Sequence, residues 1–191
     1  MGYAQAGFEV AGVDISPQPK YPFTFILGDA VEYLREHGHE YDAIHASPPC
    51  QKWSTITKCG GNNEHPDLID PVRELLIEIG KPWVIENVPN APLRSPLMLC
   101  GTMFGLNVIR HRNFETSFKI DAPKKCEHVK KVVKHGRKPD RAVHYAAVTG
   151  HFSDVEFAKE SMGIKWLGQK ELAQAIPPAY TKWIGDVMMK L

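Results

Sequence analysis

The chain has no run of the roughly 18 consecutive apolar residues that a membrane-spanning helix requires. Its opening residues, MGYAQAGFEV, lack a basic segment followed by a long apolar one, so the expectation is a cytoplasmic protein with no membrane partner. Charge of one sign is also missing. The formal net charge of +1 excludes a chain whose bulk composition binds nucleic acid, and any electrostatic footprint has to be local. Cysteine is scarce: Cys50, Cys59, Cys100 and Cys126 are scattered without CxxC spacing, which excludes a disulfide scaffold and reads as free thiols in a reducing compartment. No internal repeat or low-complexity segment is present, so a solenoid is excluded. What remains is ordinary. Hydrophobic residues make up 43% and charged residues 24% of 191 residues, enough for one globular domain with a small appended lobe.

The N-terminal half alternates strands and helices. FEVAGVDI (Phe8–Ile15) ends in Asp14 and then meets the breaker SPQPKYP, the pattern of a buried strand. TFIL (Thr24–Leu27) predicts a second strand, followed by Gly28-Asp29 and a helix over Ala30–His37 that stops at Gly38. Tyr41–Ala46 predicts a third strand, running into ASPPCQK. Asp70 and Pro71 read as an N-cap and first helical residue for a helix over Val72–Ile79, with Gly80 at its end. PWVIE (Pro82–Glu86) predicts a fourth strand. Such alternation implies an α/β domain with a parallel sheet, whose ligand groups lie just past the carboxyl ends of the strands. Asp14, Asp29, Cys50 and Glu86 all fall at such ends, and together they are the main sign of a site.

Beyond residue 100 the pattern changes. GTMFGL and FETSF suggest short antiparallel strands around Arg110-His111-Arg112-Asn113. From Lys124 to Arg141 eight Lys or Arg stand against Glu127 and Asp140, the one concentrated basic segment and so the natural place for phosphate contact. Read blandly, the same segment is a solvated loop. Ala146–Thr149 suggests a strand, and Gln169–Ile176 and Tyr180–Met189 two closing helices around Pro177-Pro178.

A lone cysteine is usually a small buried hydrophobe. Cys50 differs in context, because Pro48 and Pro49 stiffen the backbone before it and Glu86 holds the corresponding place on the next strand. A thiolate beside an acid suits attack on an electron-poor ring carbon with protonation of a ring nitrogen. Glu86 otherwise reads as a cap for the following loop. Arg110 and Arg112 alternate onto one face, as solvated charges or as a grip on a carboxylate, phosphate or base. Asp14 suits a ribose hydroxyl, or equally a turn before Ser16-Pro17. Cys126-x-His128, with His135 and His144, hints at zinc, but the spacing matches no standard site, and the expectation is no metal.

SPPCQ (47–51) and ENVP (86–89), with Arg110-x-Arg112 after them, resemble the ordered motifs of the DNA (cytosine-5)-methyltransferases. AGVDI, GDA and LAQAIPPAY (172–180) are also similar to that family, and the chain is most similar to its compact phage-type members. The resemblance implies a Rossmann-like methyltransferase core over 1–113, with a mostly parallel sheet. A small irregular target-recognition lobe over 114–150 and a returning segment over 151–191 would complete it. It implies Cys50 as nucleophile toward C6 of a flipped cytosine, Glu86 on N3, and Arg112 backed by Arg110 gripping the base. S-adenosyl-L-methionine would be held by Asp14, Ile15, Asp29, Ala30 and Pro48, and Pro49, Gln51, Asn87 and Val88 would meet the substrate. Double-stranded DNA is the implied partner of a monomer in a bacterial cytoplasm, with a cognate restriction enzyme as a further partner.

Three features depart from the family pattern. The family's first strand and FxGxGG-type cofactor loop precede the helix that Met1-Gly2-Tyr3 resembles, so either the start lies upstream or cofactor binding is impaired. Ala173-Gln174 replaces a usual Gly-Asn, and Val108 replaces a glutamine. The competing readings are an RNA cytosine-5 methyltransferase, a catalytically silent DNA-binding relative, and a cysteine enzyme acting on free pyrimidine nucleotides.

Overall fold

The computed structural model describes residues 1–53, 67–133 and 137–191, with Gln51 described by its backbone alone. It is a mixed α/β protein whose chain divides into two units. One comprises Ala11–Met98 and Arg112–Asp121; the other comprises Met1–Val10, Leu99–His111 and Ala122–Leu191. These units cut across the division expected at residues 113 and 150.

In the first unit, β1 (Ala11–Asp14) and β2 (Thr24–Leu27) form a parallel pair in the register Asp14↔Leu27. The helix α2 (Ala30–His37) follows, capped by Asp29. A separate sheet has the order β3-β4-β6-β5, from β3 (Ile44–Ala46), β4 (Trp83–Asn87), β5 (Leu97–Leu99) and β6 (Arg112–Thr116). β3 runs parallel to β4, and β6 antiparallel to it. The expected single, mostly parallel sheet is therefore replaced, among the described residues, by small sheets, because the antiparallel β6 occupies the other edge of β4. Val72 and Leu76 of α3 (Ile69–Ile79) pack on Trp83 and Ile85, and Val31 and Leu34 of α2 join the same cluster. That face of the sheet is thus covered by helices.

Three boundaries shift for identifiable reasons. β1 is shorter than Phe8–Ile15 because Phe8 packs edge-on against Tyr3, 6.0 Å away between ring centres. α3 starts at Ile69 rather than Val72, and Asp70 is not its N-cap: its carboxylate turns to Arg73 one turn along. β3 begins at Ile44, since Tyr41 instead bonds its hydroxyl to that of Tyr33 at 2.8 Å.

In the second unit, α1 (Gly2–Gln5) lies against α6 (Pro178–Met188). Only glycine permits that approach: a Cβ on Gly185 would come within 2.8 Å of the Ala6 Cβ, and one on Gly2 would collide with the Pro178 carbonyl. A core of Val108, Phe157, Met162 and Leu172 gathers α4 (Val155–Met162) and α5 (Gln169–Gln174). α4 was not expected, yet its ends carry ordinary signals. The Asp154 carboxylate accepts from Phe157 N at 2.9 Å, and Gly163 closes the helix in the left-handed region at φ 69°. β7 (Lys131–Val132) and β8 (His144–Tyr145) form a short parallel pair within the basic segment and just beyond it. Among the described residues no helix is long and apolar enough to cross a membrane.

Candidate functional site

β3 and β4 are in parallel register, Ala46 beside Ile85, so the segments that follow them leave at the same edge. Ser47, Pro48, Pro49 and Cys50 follow one strand; Glu86 and Asn87 close the other. Asn87 couples the two. Buried to 1% exposure, its side-chain amide donates to the Pro48 carbonyl at 3.0 Å, while its own oxygen accepts from Val88 N at 2.9 Å. Pro48 is buried under this contact, and Pro49 and Cys50 are exposed beyond it. A short 3₁₀ turn, Gln51–Trp53, follows, with Trp53 N donating to Cys50 O at 3.0 Å. The Gln51 side chain, like Cys59, lies outside the described residues.

Glu86 and Arg112 face each other across β4 and β6. The register sets Glu86 opposite Phe114, so Arg112, two residues before Phe114, shares its face as a diagonal neighbour. The Arg112 Nε lies 3.0 Å from Glu86 Oε1, with the two side chains only 17% and 12% exposed. His45 lies on that face too, its ring 6.4 Å from that of Phe114. Burial holds the His45 imidazole down to about 4. Between that value and the ordinary 6.5 the unfolded chain binds more protons, so the contribution of His45 to stability is complete above 6.5 and is lost as pH falls toward 4. We expect wild-type urea stability to drop by up to about 3 kcal/mol from this group across that window, at about 1.4 kcal/mol per unit. The His45→Gln protein should lose that part of the slope, and an unchanged profile would refute it.

Asp14 and Asp29 stand at the carboxyl ends of β1 and β2, where Gly28 N donates to Asp14 O at 3.1 Å. Both carboxylates do local work. Asp14 accepts from Ser16 N at 2.8 Å and Gln18 Nε2 at 3.2 Å, which is the turn role; Asp29 Oδ1 caps α2 through Val31 N and Glu32 N. Next to them Ile15 and Leu27 are 74% and 60% exposed, and Ala30 is exposed.

Arg110 does not share a strand face with Arg112. It belongs to the other unit, is 4% exposed, and donates to the Val148 carbonyl at 2.8 Å and the Ala173 carbonyl at 2.7 Å. Tyr180 donates its hydroxyl to the Arg110 carbonyl at 2.7 Å. The LAQAIPPAY stretch therefore supplies two of its partners, Ala173 and Tyr180. Because β6 begins only at Arg112, alternation does not extend back to residue 110.

A second constellation combines residues that spacing did not. Cys126 and His128 meet Cys100 and His111, all four ligand atoms lying within 4.8 Å of one another. His135 lies outside the described residues, and His144 instead accepts from Asp140 N at 3.2 Å. A Cys-x-His pair was the only local signal; Cys100 and His111 are reached only through the fold.

No protein-family model matches the chain, and no curated protein matches it significantly.

Removing the Asn87 amide should leave the Pro48 carbonyl and Val88 N–H without this partner. Asn87→Ala is expected to lower stability by about 1–3 kcal/mol in urea titration. An unchanged midpoint would show that the contact carries no weight.

Proposed function

We propose that the protein transfers a methyl group to C5 of cytosine in double-stranded DNA through a covalent adduct on Cys50. The observation that carries this reading is the Asn87–Pro48 bond, which holds the exposed Cys50 loop beside an ion-paired Glu86 at one sheet edge. The order of SPPCQ, ENVP and the arginine stretch supports it. The strands and helices around that edge would then be a compact variant of a Rossmann-like core, and the basic segment Lys124–Arg141 the part that meets phosphates.

A cytosine in a duplex hides its C6, so the base has to leave the stack to be attacked. The Cys50 thiolate adds to C6, while Glu86 delivers a proton to N3 or binds it protonated, which leaves electron density on C5. Arg112 keeps the Glu86 carboxyl oriented toward the ring edge. S-adenosyl-L-methionine, when bound, supplies an electrophilic methyl group. Asp14 suits the ribose hydroxyls, Asp29 the adenine amino group, and Ile15 the adenine face. After C5 carries the methyl, its proton leaves to solvent, the C6–S bond breaks with its electron pair returning to Cys50, and N3 returns its proton to Glu86.

Incubation with tritiated S-adenosyl-L-methionine and equal amounts of duplex DNA, RNA and free cytidine nucleotides tests the reading. Label in 5-methylcytosine of the DNA is expected. Label confined to RNA or nucleotides, or no saturable heat with the cofactor in calorimetry, would overturn it.

A further inference from the structure

The cluster Cys100, His111, Cys126 and His128 lies within one unit and outside the methyl-transfer site. We propose that these four residues hold one zinc ion, which fastens the start of the basic segment to the rest of its unit.

The donor set is two thiols and two imidazoles, the soft and borderline ligands that zinc takes in closed structural sites. Distances agree with a tetrahedron. Bonds of about 2.3 Å to sulfur and about 2.05 Å to nitrogen give a sulfur–nitrogen edge of about 3.5 Å. The Cys100 Sγ–His128 Nε2, His111 Nε2–Cys126 Sγ and Cys126 Sγ–His128 Nε2 separations are 3.5, 3.4 and 3.1 Å. The His111 and His128 rings stack 5.2 Å apart at 29°, each directing Nε2 toward the sulfurs.

Surrounding groups fit the same role. Thr102 donates its hydroxyl to Cys100 Sγ at 3.4 Å and lies 3.9 Å from Cys126 Sγ, an outer hydroxyl suited to thiolates. Tyr145 packs edge-on to His128 and accepts from Val129 N at 3.2 Å, holding the Cys-x-His arm. Burial does little to fasten the segment's described residues. Val129 and Val132 are 86% and 56% exposed, and the rest of it is largely charged. Small lobes without an apolar core are commonly held by metal or disulfide.

The test uses the full chain expressed with added zinc. Elemental analysis should give about one zinc per chain, as expected for a single four-ligand site. Replacing it with Co²⁺ should give the visible bands of tetrahedral cobalt together with thiolate-to-cobalt charge transfer. Cys126→Ser and His128→Ala should lose the metal, whereas Cys50→Ser should retain it. Chelation should speed proteolysis within 124–141. Wild-type protein without bound zinc or a tetrahedral cobalt spectrum overturns the proposal, whether or not the variants fold. So does a Cys100–Cys126 disulfide in protein kept under reductant.

Discussion

Replacing Cys50 by serine is expected, under the proposed function, to reduce methyl transfer to duplex DNA to background, a loss of at least about 10³-fold, or more than 4 kcal/mol of barrier. The argument is one of nucleophilicity. A thiol ionises near 8.5 and is nucleophilic even when a few per cent is thiolate, whereas a serine hydroxyl needs a strong adjacent base. Glu86, which closes the neighbouring strand, is already paired with Arg112. The fold should be indifferent to the change. Cys50 is exposed, and exposed near-isosteric substitutions usually stay within about 0.5 kcal/mol. Circular dichroism and urea titration should therefore match wild type while tritium transfer disappears. Wild-type transfer by this variant would remove Cys50 from the chemistry, and with it the covalent route.

The legible parts of the fold were those specified by neighbouring residues. Thr24–Leu27 and Ala30–His37 fall where the sequence puts them, because Asp29 caps the helix locally and Gly38 follows its end. The pairing of strands was not legible. FETSF was expected to run antiparallel, and β6 does, but its place beside β4 depends on the route of the chain between Asn87 and Arg112, and periodicity carries no record of that route. Phe8 reads as part of a strand by its apolar run, and only the packing against Tyr3 removes it.

The candidate site divides the same way. Cys50 and Glu86 were expected at or just past strand ends, and the structure places them there. Asn87 was expected to meet substrate; the structure shows it as a buried tie between loops, a role that appears only once Pro48 lies beside it. Arg110 was misplaced by assuming a strand through residues 110–112. The thiol–imidazole cluster was missed because His111 lies 15 residues from Cys126, and Cys100 lies 28 from His128, with no spacing rule linking them.

The second large effect is expected from a residue that sequence reading passed over. Arg73 sits in α3 with its side chain 2% exposed, against Glu115 of β6 at 5%. Its Nε and Nη2 engage the two Glu115 oxygens at 2.7 and 2.9 Å, Nη2 also donates to the Pro92 carbonyl at 3.1 Å, and Nη1 pairs with Asp70. Glu115 in turn accepts from Arg94 N at 2.7 Å. Hydrogen bonds and charge from Glu115, then Asp70, raise the Arg73 pKa further, so the guanidinium stays charged. Arg73→Ala would leave the Glu115 carboxylate buried with a single backbone donor, and losing one partner of a buried pair costs about 3–5 kcal/mol. Arg73→Lys keeps the charge but not the fork, and should recover only part of that loss. Arg73→Met with Glu115→Leu removes both charges, and should be less damaging than the sum of the single changes. Because Pro92 and Arg94 belong to the loop that follows Glu86, hydrogen exchange over residues 88–96 should quicken in Arg73→Ala. Urea titration of wild type, Arg73→Ala, Arg73→Lys, Arg73→Met, Glu115→Leu and the double variant reads the energies, and additive losses would show that the pair is not coupled.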